Sequence, residues 1–454
     1  MIVRQYFSPA IALFITAALT PCAASAAAAQ GGDSIAGRIG AALADNDAAG
    51  LSALLAPDFV DQSEDFLGDG GLLRQLNEFN AAMPDAQVEI SVSKENDGVI
   101  AINRTIHGVA ETDLMGHTPP PMPLRIEAMD FFTIEDGLIA SRRGLIDKIG
   151  ILRQLTMPFP ANAPASDARV HEVAQFNPGE FPEGLIAAGD GGLLMTMLFD
   201  NKILSVSPDG RLDIFAHLPF ASDPATQQGT MCIAKDKDGA IYITVQSKTP
   251  ESHGLWRLDA NGAARAVAVL PQGAIPNGLD VDDKGRVYIA DSSGAIWQWL
   301  PGASEAAVWA SGELVRRRPF IGNLPGPNGL KVKKNFVFVT VSDTAAYVRV
   351  PIRRNGSAGD AELIATGAPG DDFTIDGDGA AYVTTHPFNS VLKVTKKGVE
   401  EVVADVEDGI IGPTSAAFVE TPNGSVLYVV TDGGLYAPIP GVEIMPKLLR
   451  IEID

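Results

Sequence analysis

Apolar residues follow two different periodicities along this chain of 454 residues and divide it into two regions. Within residues 33–157, they first recur every three or four positions, at Ile35, Ile39 and on to Leu55, which predicts a helix capped at its start by Asp33-Ser34. A second helix is expected at Leu72–Phe79. Four strand-like runs follow, at residues 87–93, 98–108, 124–134 and 138–147. Helices followed by antiparallel strands predict an α+β domain.

Residues 171–454 repeat one short pattern, a strand, an Asp-x-x-Gly turn and a second strand rich in Tyr, Val and Ile. The three clearest copies are Ile233–Thr244, Leu279–Ala290 and Phe373–Thr384. Six such units would average about 47 residues each, which is a usual length for a propeller blade. Residues 158–170, rich in Pro and Ala, predict a linker. We therefore predict a multidomain protein in which an α+β domain precedes an all-β six-bladed β-propeller.

The start of the chain and its composition bear on where the protein acts. Arg4, an apolar run at residues 9–20 and the small residues Ala24-Ser25-Ala26 predict a signal peptide at residues 1–26, and hence a periplasmic or secreted protein. Cys232 is then the only cysteine of the mature chain, so an internal disulfide is not expected. The formal net charge of −22 argues against nucleic-acid and membrane partners.

Four side chains with oxygen atoms stand at equivalent positions, just before the first strand of their repeat. They are Glu183, Asn277, Asn328 and Asp371. In a propeller the loops that lead into the innermost strands meet at the central channel, so these side chains are expected to converge. Carboxylate and amide oxygens suit calcium or another hard divalent ion. The alternative is that Pro-Asn-Gly only marks a turn, because Asn and Gly adopt left-handed backbone conformations.

With these residues at this spacing, residues 172–454 resemble the six-bladed propellers of the senescence-marker-protein, gluconolactonase and luciferin-regenerating-enzyme family. The resemblance implies that Glu183, Asn328 and Asp371 bind a divalent metal and that Asn277 contacts the substrate beside it. Calcium is the first expectation, with zinc, manganese or magnesium as alternatives. The family commonly has Pro-Asp-Gly where this chain has Gly370-Asp371-Asp372, so both Asp371 and Asp372 remain candidate ligands.

Such a site would suit the hydrolysis of a lactone or ester. A divalent ion polarises a carbonyl and lowers the pKa of bound water, and Asp371 or Asp372 could accept the proton of that water. His386 follows the second strand of the same repeat and is a further candidate pocket residue. A lone histidine is more often a structural hydrogen-bonding partner, and both interpretations stay open. No Gly-x-Ser-x-Gly motif occurs, which argues against a serine hydrolase of the α/β kind.

The first domain carries Asp136-Gly137-Leu-Ile and a closing stretch that starts at Asp147-Lys-Ile-Gly. Both resemble the SnoaL-like polyketide cyclases, cone-shaped α+β domains related to ketosteroid isomerases. The resemblance implies that Asp147 is an acid/base residue, and we expect it to be buried with a raised pKa. Ala110 and Gln62 stand where that family has histidines, which favours a role in dimerisation or substrate docking.

Together these features predict an exported, metal-dependent hydrolase of a lactone or related ester. Its small-molecule substrate would bind in the central pocket of the propeller, and the cone-shaped domain would form a homodimer. One alternative is a non-catalytic propeller that binds metal or ligand and is dimerised by the cone. Another is a two-step enzyme, in which the cone isomerises or cyclises a compound through Asp147 and the propeller opens the resulting lactone.

Overall fold

The computed structural model describes twelve stretches of the chain. They comprise residues 34–63, 71–96, 98–112, 114, 122–156, 169–220, 228–259, 262–318, 324–386, 388–421, 424–439 and 441–453. The predicted signal peptide lies outside these residues, as does the predicted linker up to residue 168. The described residues up to 156 belong to one compact unit, and residues 169–317 and 325–453 form another.

Within the described residues, the first unit combines four helices with one five-stranded sheet. The helices are α1 Ile35–Ala44, α2 Ala48–Ser52, α3 Gly71–Ala82 and α4 Lys148–Thr156. The strands are β1 Leu55–Asp61, β2 Gln87–Asn96, β3 Val99–Ala110, β4 Met122–Glu135 and β5 Leu138–Ile146. In the sheet their order is β1-β5-β4-β3-β2, and β1 runs parallel to β5 while the other pairs are antiparallel. The predicted α+β domain is therefore present.

The first helix is shorter than predicted. It is capped by Ser34, whose Oγ accepts a hydrogen bond from the backbone N–H of Gly37, and it ends at Ala44. Asn46 then adopts a left-handed conformation, and Asp47 caps the short helix α2. Leu55, the predicted last residue of the helix, instead starts strand β1. Local turn chemistry therefore interrupts an apolar pattern that would otherwise continue.

One face of the sheet packs against α1 and α3 and carries a buried charged network beside its apolar core. Arg104 Nε donates to Asp130 Oδ2 at 2.7 Å, and Arg142 Nε donates to Asp130 Oδ1 at 2.7 Å. Arg142 Nη1 also reaches Asp61 Oδ2 at 2.9 Å, while Arg104 Nη2 donates to Gln75 Oε1 at 3.0 Å. The Arg104 and Asp130 side chains are at most 1% exposed. Because each buried charge is paired, the network ties β3, β4 and β5 to β1 and α3.

The second unit is built from six four-stranded sheets within the described residues. Five of them are made of consecutive strands. The first blade contains β7 Pro182–Ala187, β8 Leu193–Met197, β9 Lys202–Val206 and β10 Leu212–His217, and the second contains β11 Gly229–Lys235, β12 Ile241–Gln246, β13 Gly254–Leu258 and β14 Ala264–Val269. The third contains β15 Pro276–Val281, β16 Val287–Asp291, β17 Ala295–Trp299 and β18 Ala307–Ala310; the fourth contains β19 Pro327–Lys333, β20 Phe336–Val341, β21 Ala346–Pro351 and β22 Glu362–Thr366; and the fifth contains β23 Phe373–Ile375, β24 Ala381–Thr384, β25 Ser390–Thr395 and β26 Gly398–Asp405.

The sixth sheet closes the ring. It joins β27 Pro413–Thr421, β28 Gly424–Thr431 and β29 Lys447–Glu452 to β6 Arg169–Gln175, which comes from the start of the unit. The innermost strands pack in the cyclic order β7, β11, β15, β19, β23, β27 and back to β7. The predicted fold class, a six-bladed β-propeller after an α+β domain, is thus confirmed, although β6 begins two residues before the predicted start of the propeller at residue 171.

The Asp-x-x-Gly repeat has a clear structural basis in the turn between the first two strands of a blade. Asp282 Oδ1 accepts backbone N–H bonds from Lys284 and Arg286, at 2.9 and 3.0 Å. Asp236 and Asp376 make the same kind of turn in their blades. No helix among the described residues has the length and apolar character needed to cross a membrane.

Candidate functional site at the propeller axis

The candidate site lies at a register shift that several of the innermost strands share. In β7, β15 and β19 the strand opens with a proline paired to the end of the next strand, and the register then shifts before pairing resumes. The residue after each proline lies within this shift, and these residues are Glu183, Asn277 and Asn328. Asp371 has the corresponding place before β23, where its backbone N–H donates to Thr384 O. The four predicted side chains therefore hold equivalent positions around the axis.

A second set of residues, just after the second strand of the third, fourth and fifth blades, contacts the first set. Asn277 Nδ2 donates to Ser292 Oγ at 3.3 Å, and Asn328 Nδ2 donates to Ser342 Oγ at 3.0 Å. The equivalent residue of the fifth blade is His386, whose Nδ1 lies 3.7 Å from Asp371 Oδ2. We call Glu183, Asn277, Asn328, Asp371 and His386 the channel site.

Glu183 and Asp371 are two buried carboxyl groups, and their negative charges repel each other when both are ionised. They are 7% and 9% exposed. Burial, followed by the negative charge of Asp371, raises the pKa of Glu183 well above its usual range. Burial likewise raises the pKa of Asp371 to about 7, although His386 and a hydrogen bond from Asn328 act in the opposite direction. A bound cation would relieve both the repulsion and the cost of burying these charges.

The oxygen atoms of the site fit a hard divalent cation. Asn328 Nδ2 donates to Asp371 Oδ1 at 2.7 Å, and this leaves Asn328 Oδ1 buried without a hydrogen-bonding partner. A buried carbonyl oxygen without a donor is costly unless something binds it. No group of three His, Cys, Asp or Glu side chains in the described part of the chain is placed to hold a metal. Two carboxylates and an amide oxygen, however, form an oxygen-rich set of the kind that calcium accepts.

Asp371 and Asp372, which the sequence could not separate, have different surroundings. Asp372 accepts hydrogen bonds from Lys331 Nζ, at 2.8 and 3.0 Å, and from Ser415 Oγ at 2.6 Å. Its charge is therefore compensated by the partly buried ammonium group of Lys331, whereas Asp371 faces Asn328 and His386. These contacts favour Asp371 as the ligand and leave Asp372 a poor candidate for a base.

His386 is bound to a second aspartate that the sequence analysis did not identify. Its Nε2 lies 3.1 Å from Oδ2 of Asp432, a fully buried residue that follows the second strand of the sixth blade. Burial alone would lower the pKa of His386, but Asp432 and then Asp371 raise it to about 9. The repeat contained a signal for this pair, because His386 and Asp432 occupy the positions of Ser292 and Ser342 in neighbouring blades.

Two further predicted residues are Asn277, whose contact with a substrate stays a prediction, and Asp147, whose surroundings differ from the expectation. Asn277 is held by Ser292 and by Cys232, whose Sγ lies 3.5 Å from Asn277 Oδ1, so its described side-chain hydrogen bonds go to these two side chains and not to the carboxyl groups. Asp147 is exposed rather than buried, so that expectation was wrong. Its Oδ1 accepts the backbone N–H of Gly150 at 2.8 Å, as an N-cap of α4 does.

Comparison with known proteins identifies a family model for the first unit and one curated relative. Residues 34–155 match the family model of the SnoaL-like polyketide cyclases, which confirms the predicted resemblance of the first unit. A virginiamycin B lyase from Nocardia farcinica is 27% identical over 121 residues, which is 27% of this chain. The matched segment spans 39% of the length of that relative.

Solved structures with the propeller fold include those of the family expected from the sequence. A gluconolactonase from Xanthomonas campestris is 16% identical, over 65% of this chain and 94% of that one, with a TM-score of 0.45. A calcium-binding protein, regucalcin, from Agrobacterium tumefaciens is 19% identical, over 61% and 93% of the two chains, with a TM-score of 0.43. At these identities the likeness concerns the fold alone.

Proposed function

We propose that the propeller is a metal-dependent hydrolase that opens a lactone or related ester at the channel site. The observation that carries this proposal is the pairing of the buried Glu183 and Asp371 carboxyl groups beside the unpartnered Oδ1 of Asn328. Glu183, Asn328 and Asp371 would hold a divalent ion, with calcium as the first expectation. Such an ion supplies carbonyl polarisation and a lowered pKa of bound water.

The chain's own residues would position the reactants and move the proton. His386 is oriented by Asp432 through Nε2, so Nδ1 is the ring nitrogen directed towards Asp371. From this place His386 can donate a proton to the oxygen of a departing alcohol or accept one from attacking water. Ser342 fixes the Asn328 amide, and Ser292 fixes that of Asn277.

The proposal has three further parts: the protein is exported, it forms a homodimer through the first unit, and Asn277 contacts the substrate.

The test is hydrolysis of a lactone and aryl-ester panel by metal-stripped protein, with Ca²⁺, Zn²⁺, Mn²⁺ or Mg²⁺ added back. Glu183→Gln removes a ligand charge at nearly constant shape, and Glu251→Gln, at an exposed position, is the matched control. We expect a metal to restore turnover in the wild type and the control but not in Glu183→Gln. Metal binding without turnover of any substrate would favour a non-catalytic binding propeller. A protein that binds no metal would refute the site itself.

A second candidate is a lyase, which is favoured by the His386–Asp432 pair. An oriented histidine can remove a proton from a carbon next to a carbonyl when the neighbouring carbon bears the ester oxygen. The electron pair then forms a C=C bond between these two carbons as the alkyl C–O bond breaks, the acyl half of the ester leaves as a carboxylate, and the histidine keeps the proton. Hydrolysis adds water, whereas elimination does not. Turnover in H₂¹⁸O therefore separates the two reactions, since only a hydrolytic product carries the heavy oxygen in its new carboxylate.

A further inference from the structure

The channel site is bordered on one side by apolar and aromatic side chains, contributed by the first, second and sixth blades. Phe181, two residues before Glu183, is 3% exposed and packs with Leu198 and Met231, while Phe199 and Leu435 cover this cluster. Here the position equivalent to Glu183 in the second blade is Met231, which has no hydrogen-bonding group. Met231 is thus an apolar position in the ring of equivalent residues, and Phe181 packs against it.

The aromatic rings of this border form one continuous group that includes the catalytic histidine candidate. We call Phe181, Phe199, His386 and Tyr436 the aromatic wall. Tyr436 lies edge-to-face with both Phe181 and His386, with ring centroids 5.6 Å apart in each pair. The Phe181 and Phe199 centroids are 5.5 Å apart. Such contacts orient the rings, so the wall presents a fixed surface.

Tyr436 is the member of the wall that offers its surface to a ligand. The residue is 43% exposed, although its ring is anchored by the two edge-to-face contacts. Burial, and then the negative charge of Glu183, raises the pKa of its phenol, which is consistent with a position close to the carboxyl groups. An exposed ring beside the reacting site is a surface on which a flat apolar group can pack.

The polar side of the site, by contrast, has its hydrogen-bonding groups committed to each other. Asn277 is held by Ser292 and Cys232. The amide N–H groups of Asn328 are used by Ser342 and Asp371. Lys331 is bound to Asp372. A polyhydroxylated substrate needs many partners for its hydroxyl groups, and these side chains can supply few without breaking existing bonds.

We propose that the channel site is selective for a substrate whose lactone or ester group adjoins a flat apolar, aromatic moiety that packs on Tyr436. This inference rests on the proposed function, because it assigns the substrate class of the same site. The ester group would face Asp371 and His386, and the aromatic moiety would lie along the wall. Sugar-derived lactones, whose rings carry hydroxyl groups on every side, would be poor substrates.

The test compares dihydrocoumarin, γ-butyrolactone and glucono-1,5-lactone with the metal-loaded protein. We expect kcat/KM for dihydrocoumarin to exceed that for gluconolactone by about tenfold or more. In Tyr436→Ala the ratio of kcat/KM for dihydrocoumarin to that for γ-butyrolactone should fall about tenfold. Tyr436→Phe, which keeps the ring, should retain the ratio. Phe215→Ala, at another exposed aromatic residue (39% exposed), is the control that should leave it unchanged.

Failure of this inference and failure of the proposed function give different results. Faster turnover of gluconolactone would refute the aromatic selectivity and leave the hydrolase intact. If no lactone is opened, the hydrolase is refuted, and calorimetric binding of 3-(2-hydroxyphenyl)propanoate and of gluconate decides the inference. Tighter binding of the aryl acid, weakened by Tyr436→Ala, would support it with or without added calcium. Equal binding, or tighter binding of gluconate, would overturn it.

Discussion

At the scale of single residues, the His386–Asp432 pair is the feature that most favours a catalytic site over a site that only binds metal. Asp432 is buried, and its two carboxylate oxygens also accept backbone N–H groups of Gly434, at 2.7 Å, and Tyr436, at 3.3 Å. Gly412 approaches so closely that a Cβ there would lie 1.6 Å from Asp432 Oδ1. An aspartate fixed this firmly holds the imidazole in one orientation, as a proton-transfer residue requires.

The first prediction therefore concerns His386→Asn. Loss of a positioned acid/base group should lower kcat by about 10²–10³-fold. Metal affinity should change much less, because the ligand oxygens of Glu183, Asn328 and Asp371 remain. Steady-state kinetics and calorimetric titration with Ca²⁺ measure the two effects separately. His217→Asn, at an exposed histidine of β10, is the control. An undiminished kcat in His386→Asn would show that this histidine only supports Asp371.

At the scale of elements, closure of the ring depends on strand β6, which precedes the first blade in the sequence but pairs with the last strand of the sixth. Strand β6 pairs with β29 from Lys447↔Gln175 to Glu452↔Arg169 and so completes the sixth blade. Without it, β29 would present an unpaired edge, which is a template for association with other chains. Joining the first and last parts of the unit in one sheet also prevents the blades from separating.

The second prediction follows from this closure and compares two shortened chains. A chain that starts at residue 158 keeps β6 and should unfold cooperatively as a monomeric propeller. A chain that starts at residue 177 lacks β6 and should unfold at a lower temperature and self-associate. All four tryptophans lie in the propeller, at residues 256, 297, 299 and 309, so their fluorescence follows its unfolding. Equal melting temperatures and elution volumes for the two chains would contradict the closure argument.

Elements governed by a repeat could be predicted from the sequence, while those governed by single contacts could not. The predicted repeats Ile233–Thr244, Leu279–Ala290 and Phe373–Thr384 each span the turn between the first two strands of a blade, because alternation and turn residues act locally. The equivalence of Glu183, Asn328 and Asp371 followed from the same spacing. Asp432 was missed because its role depends on a hydrogen bond between neighbouring blades. Asp147 was wrongly expected to be buried, because a sequence alone does not distinguish an exposed N-cap aspartate from a buried one.

At the scale of the whole molecule, the stability of the metal-free propeller should depend on pH in a definite direction. A native carboxyl group with a raised pKa holds its proton where the unfolded chain has lost it. Glu183, and Asp371 with a pKa of about 7, therefore contribute stability at low pH. This contribution is lost as the pH rises above the unfolded pKa values near 4 and through the raised pKa values of the folded state. His386, with a pKa of about 9, contributes stability that is complete below about pH 6.5 and is lost as pH rises through 9.

The third prediction is that the free energy of unfolding of the metal-free propeller falls between pH 5 and pH 8, because the native state binds more protons than the unfolded chain throughout this range. Calcium competes with those protons for Glu183 and Asp371, so its affinity should rise with pH. At 100 times the Kd it should add about 2.7 kcal/mol. Urea unfolding followed by tryptophan fluorescence at several pH values, with EDTA or Ca²⁺, measures both. Asp371→Asn should flatten the metal-free pH dependence, and a wild-type propeller that gains stability with rising pH would contradict the assignment of these buried groups.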